Sequence, residues 1–277
     1  MSESVQTTSE TVQARVDDGV ALLTLNRPER LNAWTAEMEH AYFELLERCA
    51  HDEDVRVIVV TGAGRGFCAG ADMHELQALG DGARPASAAS RERRPQTFPL
   101  TVAKPIIAAI NGACAGIGLV QALMCDLRFA ADGAKLTTAF ARRGLVAEHG
   151  ISWILPRLVG PARALDLLLS GRVVLAREAC ELGLVGRVHA PEELLEATLA
   201  YARDLAVNCS PASMATIKRQ VYADLERTLA GALTEADRLM LASFAAEDFR
   251  EGVASFVERR EPRFAPLAGA RALGASA

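Results

Sequence analysis

The sequence predicts an α/β protein, with buried strands alternating with helices and a wholly helical region after them. Three observations predict it. Val55-Arg56-Val57-Ile58-Val59-Val60-Thr61 and Ile106-Ile107-Ala108-Ala109-Ile110 are near-continuous apolar runs, the pattern of strands covered on both faces. Each is followed by a turn of glycines and small residues from which a helical segment starts. From about Ser152 onward helical periodicity dominates.

The elements follow in order. Residues 1–10 are polar and expected to be disordered. Val12–Val16 and Val20–Leu25 flank Asp17-Asp18-Gly19, which has the composition of a hairpin turn. Thr35 is placed to cap a helix reaching about Ala50, with Met38, Tyr42, Leu45, Leu46 and Cys49 on its apolar face. After the first buried strand, Gly62-Ala63-Gly64-Arg65-Gly66 and Phe67–Met73 lead into a short helix. Residues 79–99, rich in Gly, Ala, Ser, Arg and Pro, read as a mobile loop. After the second buried strand, Asn111–Gly118 opens a helix through Met124, and Asp126–Ala130 and Lys135–Thr138 read as short strands. Helices are expected near Pro191–Val207, Pro211–Ala230, Thr234–Ala246 and Asp248–Arg259, with Pro161 and Pro191 in first turns. This divides the chain into a core over residues 11–200, a helical region over 201–264 and a flexible tail over 265–277.

Composition bounds the function. Half of the 277 residues are apolar and the net charge is −5, a globular composition with no basic face for nucleic acid. The one short basic run, Arg91-Glu92-Arg93-Arg94, reads as a solvated loop. No stretch reaches membrane-span length, and the start lacks the basic and apolar regions of a secretory signal. The six cysteines form neither a Cys-x-x-Cys pair nor a disulfide framework, which favours a reducing, cytoplasmic setting. No cluster has metal-ligand spacing.

The two strand–turn–helix units carry the chemistry. Small residues let a ligand approach the main chain, and a helix start presents unpaired N–H groups with a partial positive charge. Two such turns side by side would give one oxygen two donors, an oxyanion hole. Simple tight turns share this composition, so spacing alone leaves both readings open. Phosphate binding fits poorly. No lysine follows Gly62-x-Gly64-x-Gly66, and Gln121 stands where Gly116-x-Gly118 would need a third glycine. Glu148, in Gly144–Gly150, precedes a helix whose face carries Ile151, Ile154, Leu155 and Leu158. It reads either as a first-turn glutamate favoured by the helix dipole or as a base within apolar surroundings.

The motifs Asn26-Arg27-Pro28…Leu31-Asn32-Ala33, Phe67–Met73 and Lys104–Gly112 resemble the enoyl-CoA hydratase/isomerase (crotonase) superfamily. Gly171-Arg172, Ala176–Ala179, Gly183-Leu184-Val185, Phe249–Gly252 and Phe256–Arg260 continue the likeness, over roughly residues 12–264. The resemblance implies a crotonase-like spiral of ββα units with a C-terminal helical appendage. It implies an acyl-CoA enzyme whose Ala71 and Ile117 N–H groups hold a thioester enolate. Ile117 departs from a position that is often glycine, and its side chain would narrow the pocket. Ala69, Asp72 and Met73 would line the coenzyme A channel, and Arg30, beside Ala33, would meet its phosphates; His74 stands where some relatives have lysine.

The two glutamates of the family's hydratases align with Val120 and Phe140, which cannot move a proton. Glu148 aligns instead with the acidic residue of the family's isomerases, surrounded by Val120, Phe140, Val146 and Trp153; Val120, Phe140 and Leu145 would also contact the substrate. It would shuttle a proton, with His149 as orienting group or second proton carrier. A hydratase using Glu148 and His149, and a non-catalytic acyl-CoA-binding relative, are the alternatives. Coenzyme A would enter only as part of the substrate, with no tightly bound cofactor and no metal. A homotrimer or hexamer is implied, with Phe256 and Arg259 of the C-terminal helices able to reach coenzyme A and residues 79–99 roofing the acyl pocket.

Overall fold

The hairpin forms where its turn residues permit it: β1 (Val12–Asp17) and β2 (Val20–Leu25) are antiparallel, with Asp17 opposite Val20. The turn residues Asp18 and Gly19 both have positive φ, 48° and 76°. A two-residue turn of that hand matches the twist of the strands it joins. The computed structural model describes residues 9–81 and 94–267. The basic run up to Arg93, most of the expected roofing loop and the tail from residue 268 lie outside the described residues, as do residues 1–8.

α1 (Ala36–His51) starts where Thr35 Oγ1 accepts a hydrogen bond from the Met38 N–H, and the predicted face is buried throughout. At its other end the buried ammonium of Lys104 donates to the Cys49 and Asp52 carbonyls. The Cys49 carbonyl lies in the last turn of the helix, where carbonyls lack helical partners, and Asp52 is the C-cap. Burial pulls the Lys104 pKa down to about 8, against the opposing effect of Cys49, Asp52 and Glu53 nearby.

The chain then weaves between two sheets. β3 (Val57–Gly62), β5 (Ile106–Ile110) and β7 (Leu127–Ala131) join β1, β2 and β10 (Arg187–His189) in one sheet, in the order β1-β2-β3-β5-β7-β10. β4 (Gly66–Cys68), β6 (Ala113–Ala115), β8 (Lys135–Thr137) and β9 (Val174–Leu175) form the other, in that order. Each successive pair, β3 then β4, β5 then β6, β7 then β8, adds one strand to each sheet. That is the spiral of ββα units. From β2 to β10 the first sheet is parallel.

The continuous apolar runs are explained by two cores. Ile58 and Val60 pack with α1 and α3 (Ile117–Met124), while Val57 and Val59 pack on the opposite face with Leu194, Ala202 and Ala206 of α7 (Leu194–Asn208). Period-two alternation thus serves two buried faces. Residue 200, the expected end of the core, falls within α7, which lies on the sheet.

The remaining helices are α2 (Met73–Gly80), α4 (Ile151–Val159), α5 (Pro161–Ser170), α6 (Ala176–Glu181), α8 (Pro211–Asp224), α9 (Leu229–Phe244) and α10 (Glu247–Glu258). α8 is pinned to the core by a buried ion pair: Lys218 Nζ lies 2.7 Å from Asp126 Oδ2, and Tyr222 donates to Oδ1 at 3.0 Å.

Several expectations differ from what forms. Pro161 is in a first turn, but Pro191 stands in the turn before α7. The helix expected to run to Ala230 stops at Asp224, because Thr228 caps a new helix by accepting from the Gly231 N–H. The stretch 94–99 is ordered against the core, with Gln96 buried and Phe98 edge-on to Phe43 at 5.9 Å. β6, β9 and β10 are too short to show a period in sequence.

Among the described residues no helix is long and apolar enough to cross a membrane, and no group of side chains is arranged to hold a metal. The described cysteines are free. α9 buries none of its residues and exposes Leu229, Leu233, Met240, Leu241 and Phe244.

Candidate active site

The two glycine-rich turns meet because the strands before them pair. β4 and β6 are parallel, with Cys68 opposite Cys114. Ala71 and Ile117 each lie three positions beyond that pair, so the two turns leave the sheet on the same side. Gly70, at φ 107°, and Gly116, at φ 50°, occupy backbone space that a side chain disfavours, and each turns the following peptide. Ile117 is the first residue of α3, where helical N–H groups lack partners. Among the described residues neither the Ala71 N–H nor the Ile117 N–H donates to another protein group. Both residues line one cavity of about 1770 Å³.

The first turn is braced from below. Trp34 bridges Ala71: its N–H donates to the Gly70 carbonyl at 2.8 Å, and its carbonyl accepts from the Asp72 N–H at 2.9 Å. Both terminal nitrogens of Arg27 reach Asp72 Oδ2 at 3.1 Å, and Nη1 also donates to the Ala33 carbonyl at 2.6 Å. The His74 N–H donates to Asp72 Oδ1 at 3.0 Å.

Burial works to raise the Asp72 pKa, but the His74 N–H and the Arg27 guanidinium outweigh it and hold the carboxyl below the ordinary value of 3.8. A depressed carboxylate pKa contributes stability that is present above the unfolded value and lost as pH falls through the folded one. Asp72→Asn is therefore expected to cost about 1 kcal/mol at pH 7, a partly screened ion pair. The deficit should shrink as pH falls below 3.8 and through the lowered folded value, as read by urea titrations across that range. A deficit independent of pH would refute this role.

Glu148 enters the cavity from the start of α4. His149 and Gly150 both take left-handed backbone, φ 57° and 83°. For histidine that conformation costs roughly 1 kcal/mol, so the surrounding structure imposes it. The Glu148 carbonyl accepts from the Ile151 N–H. No side chain caps α4, so the carboxylate is not consumed as a cap. Glu148 Oε2 lies 3.6 Å from His149 Nε2, each side chain about one-third exposed, at 33% and 35%. Of the expected apolar surround, Phe140 lines the cavity, and the expected substrate contact Leu145 does too. Val146, in the loop before α4, is exposed, and Trp153 on α4 turns away to donate to Glu226.

The other predicted residues divide. Arg30, Ala33, Ala69, Met73 and His74 line the cavity. Asp72 lies there too, with its carboxylate bonded to Arg27 and to the His74 N–H, so that it also braces the turn. Val120 does not line the cavity: α3 is buried on every side and Val120 falls on the face packed into the core. Ile117 lines it while keeping most of its side chain in the core. Phe256 and Arg259 do not reach the cavity of their own chain; Phe256 is exposed near the end of α10 and Arg259 is its left-handed C-cap.

Sequence reasoning missed Glu39 and Gln96, both buried cavity residues. Glu39 accepts from Trp34 Nε1 at 3.2 Å and from Gln96 Nε2, and Gln96 Oε1 accepts from Gln121 Nε2 at 2.6 Å. The available signal was Glu39's place with Phe43, Leu46 and Ala50, at i, i+4, i+7 and i+11, on an otherwise apolar stripe.

Comparison with known proteins places this geometry. A family model described as enoyl-CoA hydratase/isomerase matches residues 15–266. A 1,2-epoxyphenylacetyl-CoA isomerase of Escherichia coli is 38% identical over 259 residues, 92% of this chain and 98% of that one. A probable enoyl-CoA hydratase of Rhodobacter capsulatus is 37% identical over 259 residues, 92% of this chain and 97% of its own. Among solved structures, an enoyl-CoA hydratase of Mycobacterium marinum is 52% identical with a TM-score of 0.68, covering 79% of this chain and all of that one. An enoyl-CoA hydratase of Polaromonas is 31% identical with a TM-score of 0.85, covering 91% and 99%.

Proposed function

Since the chain belongs to the enoyl-CoA hydratase/isomerase family, the crotonase superfamily of acyl-CoA enzymes, we propose that its reaction is double-bond isomerisation of an enoyl-CoA with Glu148 as the proton-shuttling base. The observation that carries this is that the Ala71 and Ile117 N–H groups, which donate to no other protein group among the described residues, line one cavity with Glu148, while Val120 and Phe140 stand at the hydratase positions.

The Glu148 carboxylate takes a proton from C2 of a 3-enoyl thioester. The C2–H electron pair moves into the C1–C2 bond and negative charge develops on the thioester oxygen, where the two N–H dipoles meet it. Collapse of this dienolate moves the double bond to C2–C3, and the glutamic acid returns its proton to C4. The carboxylate is regenerated, and no atom is gained or lost.

Arg30 and His74 at the cavity wall are assigned to the phosphates of coenzyme A, with Ala69 and Met73 along the channel. No tightly bound cofactor is required by this chemistry. The exposed apolar side chains of α9 and α10 fit a homotrimer or hexamer, in which Phe256 and Arg259 would serve a neighbour's site. A cytoplasmic location fits the free cysteines.

A second reading, hydration of a 2-enoyl-CoA by Glu148 and His149, is favoured by their 3.6 Å approach, which would let the pair hold water. Incubation with 3-enoyl-CoA and 2-enoyl-CoA in deuterated water, followed by NMR, separates the two. Migration of the double bond with deuterium entering at C2 and C4 is the expected result. A 3-hydroxyacyl product would replace it with the hydratase reading, and binding without turnover of any chain length would mark a non-catalytic relative.

A further inference from the structure

We infer that the acyl part of this cavity recognises a chain that ends in a second carboxylate, with the Arg143 guanidinium as its partner; this deepens the acyl-CoA reading above and rests on it. A plain alkyl chain is best met by apolar groups and gains nothing from a cation. Among the described residues, the arginines lining the cavity are Arg30, Arg94 and Arg143. Arg94 is paired with Glu47 and lies over the Phe98 ring, 5.3 Å from its centre. Arg30 is assigned to the coenzyme A phosphates. Arg143 has no carboxylate partner among the described residues, and its side chain makes one hydrogen bond, from Nη1 to the Ala139 carbonyl at 3.3 Å. A guanidinium carries about five N–H donors, so most of this fork is uncommitted.

The segment that carries Arg143 also carries the base. The Phe140 carbonyl accepts from the Arg143 and Leu145 N–H groups, at 2.9 and 3.0 Å. This closes a tight turn with Phe140, Arg143 and Leu145 all on the cavity wall, and Glu148 follows three residues later. The root of the segment is fixed beside the second oxyanion turn, where the Gly116 N–H donates to the Thr137 carbonyl at 3.0 Å. Arg143 therefore belongs to the Ile117 and Glu148 side of the cavity, and Arg30 and His74 to the Ala71 side. Its neighbour Arg142 faces elsewhere: Nε donates to the Ser170 carbonyl at 2.7 Å, at the end of α5. The turn thus splits two successive arginines, one tying down a helix and one facing the substrate.

The planar fork matches a carboxylate in two parallel hydrogen bonds. Arg143 is exposed, so its charge is hydrated until an acyl chain displaces that water. The pair then forms at a lower dielectric, where it is worth more than on an open surface. Elsewhere on this wall Glu39 and Glu148 repel an anion. A chain carboxylate is accordingly favoured only where it reaches Arg143, which ties recognition to chain length. A cationic chain end meets Arg143 as a like charge.

The test is calorimetric binding of saturated acyl-CoAs of increasing length, each paired with its ω-carboxy counterpart. Saturated ligands make the result independent of which reaction the enzyme performs. At the length that reaches Arg143, the ω-carboxy member is expected to bind about tenfold more tightly, the scale of a hydrogen bond between charged groups. At shorter lengths it should bind more weakly than its alkyl partner. Arg143→Met should bring the ratio to one or below at every length while alkyl acyl-CoAs still bind. Arg143→Lys, which keeps the charge and loses the fork, should retain part of the preference.

No preference for the ω-carboxy member at any length in the unaltered protein would overturn the proposal, whatever the variants do. A preference that survives in Arg143→Met would also overturn it. So would an equal loss of both members of each pair in that variant, which would mark Arg143 as a coenzyme A contact. Failure of the unaltered protein to bind any acyl-CoA would sink the acyl-CoA reading, and this proposal with it.

Discussion

Replacing Glu148 by glutamine is expected to lower kcat for 3-enoyl-CoA isomerisation by about a thousandfold, within the range for removing a single general base. The amide keeps the shape and hydrogen-bonding reach of the side chain but cannot accept the C2 proton. The oxyanion turns and the coenzyme A channel are untouched, so acyl-CoA affinity should stay within about threefold. Stability should change by less than about 1 kcal/mol, because the Glu148–His149 pair is one-third open to solvent. Single-turnover kinetics with a parallel binding titration separates these effects. A loss below tenfold, or one that appears wholly in affinity, would remove Glu148 from the role of base. His149→Ala should cost less, since an orienting partner acts through the glutamate.

The second large effect is structural in origin and catalytic in outcome. A methyl group on Gly118 would stand 2.3 Å from the Cys68 carbonyl oxygen, 2.7 Å from Cys68 Cβ and 2.8 Å from its sulfur. None of these atoms can give way cheaply: Cys68 is fully buried within β4, and its carbonyl is main chain. Gly118→Ala must therefore lift the first turn of α3 away from β4. Such overpacking costs about 3 kcal/mol.

The same shift separates the Ile117 N–H from the Ala71 N–H, which hang from the two elements being forced apart. Misplacement by about 1 Å costs on the order of a hundredfold in rate. Chemical denaturation and kcat/KM on one preparation should fall together. Gly231→Ala, with only a 3.4 Å contact in exposed α9, provides the contrast and should leave both within experimental error or raise stability slightly. Full activity in Gly118→Ala would mean that the two turns are not mechanically coupled.

Much of this site was legible as sequence because it is made of main chain. Glycine and small residues after a buried strand mark places where a backbone donor is left open, and Ala71 and Ile117 fell at such places. Spacing left Glu148 open between a first-turn glutamate and a base, and the base reading came from the family resemblance. Asp72 lines the cavity, but its position in the motif says nothing of Arg27, 45 residues earlier, which pairs with its carboxylate. Val120 was misread because a helix buried on every side has no polar face to reveal which residues look into a cavity. Glu39 went unseen because a glutamate in a first helical turn is usually solvated, and its donors come from residues 34 and 96.

The paired turns on which the proposed enolate chemistry rests show where sequence stops. The sequence by itself determined that two strand ends would each leave an N–H group without a helical partner, since that follows from local backbone geometry and from glycine's access to positive φ. It also determined the two-sided burial of β3 and β5 and the hairpin that begins the sheet, all set by contacts between near neighbours in the chain. Only the tertiary structure decided that the two donors face one cavity, because this depends on the parallel register that sets Cys68 against Cys114. It alone decided which carboxylates face the cavity and which are spent as braces, because a charge is claimed by whatever donor folding brings within about 3 Å, however far away in sequence.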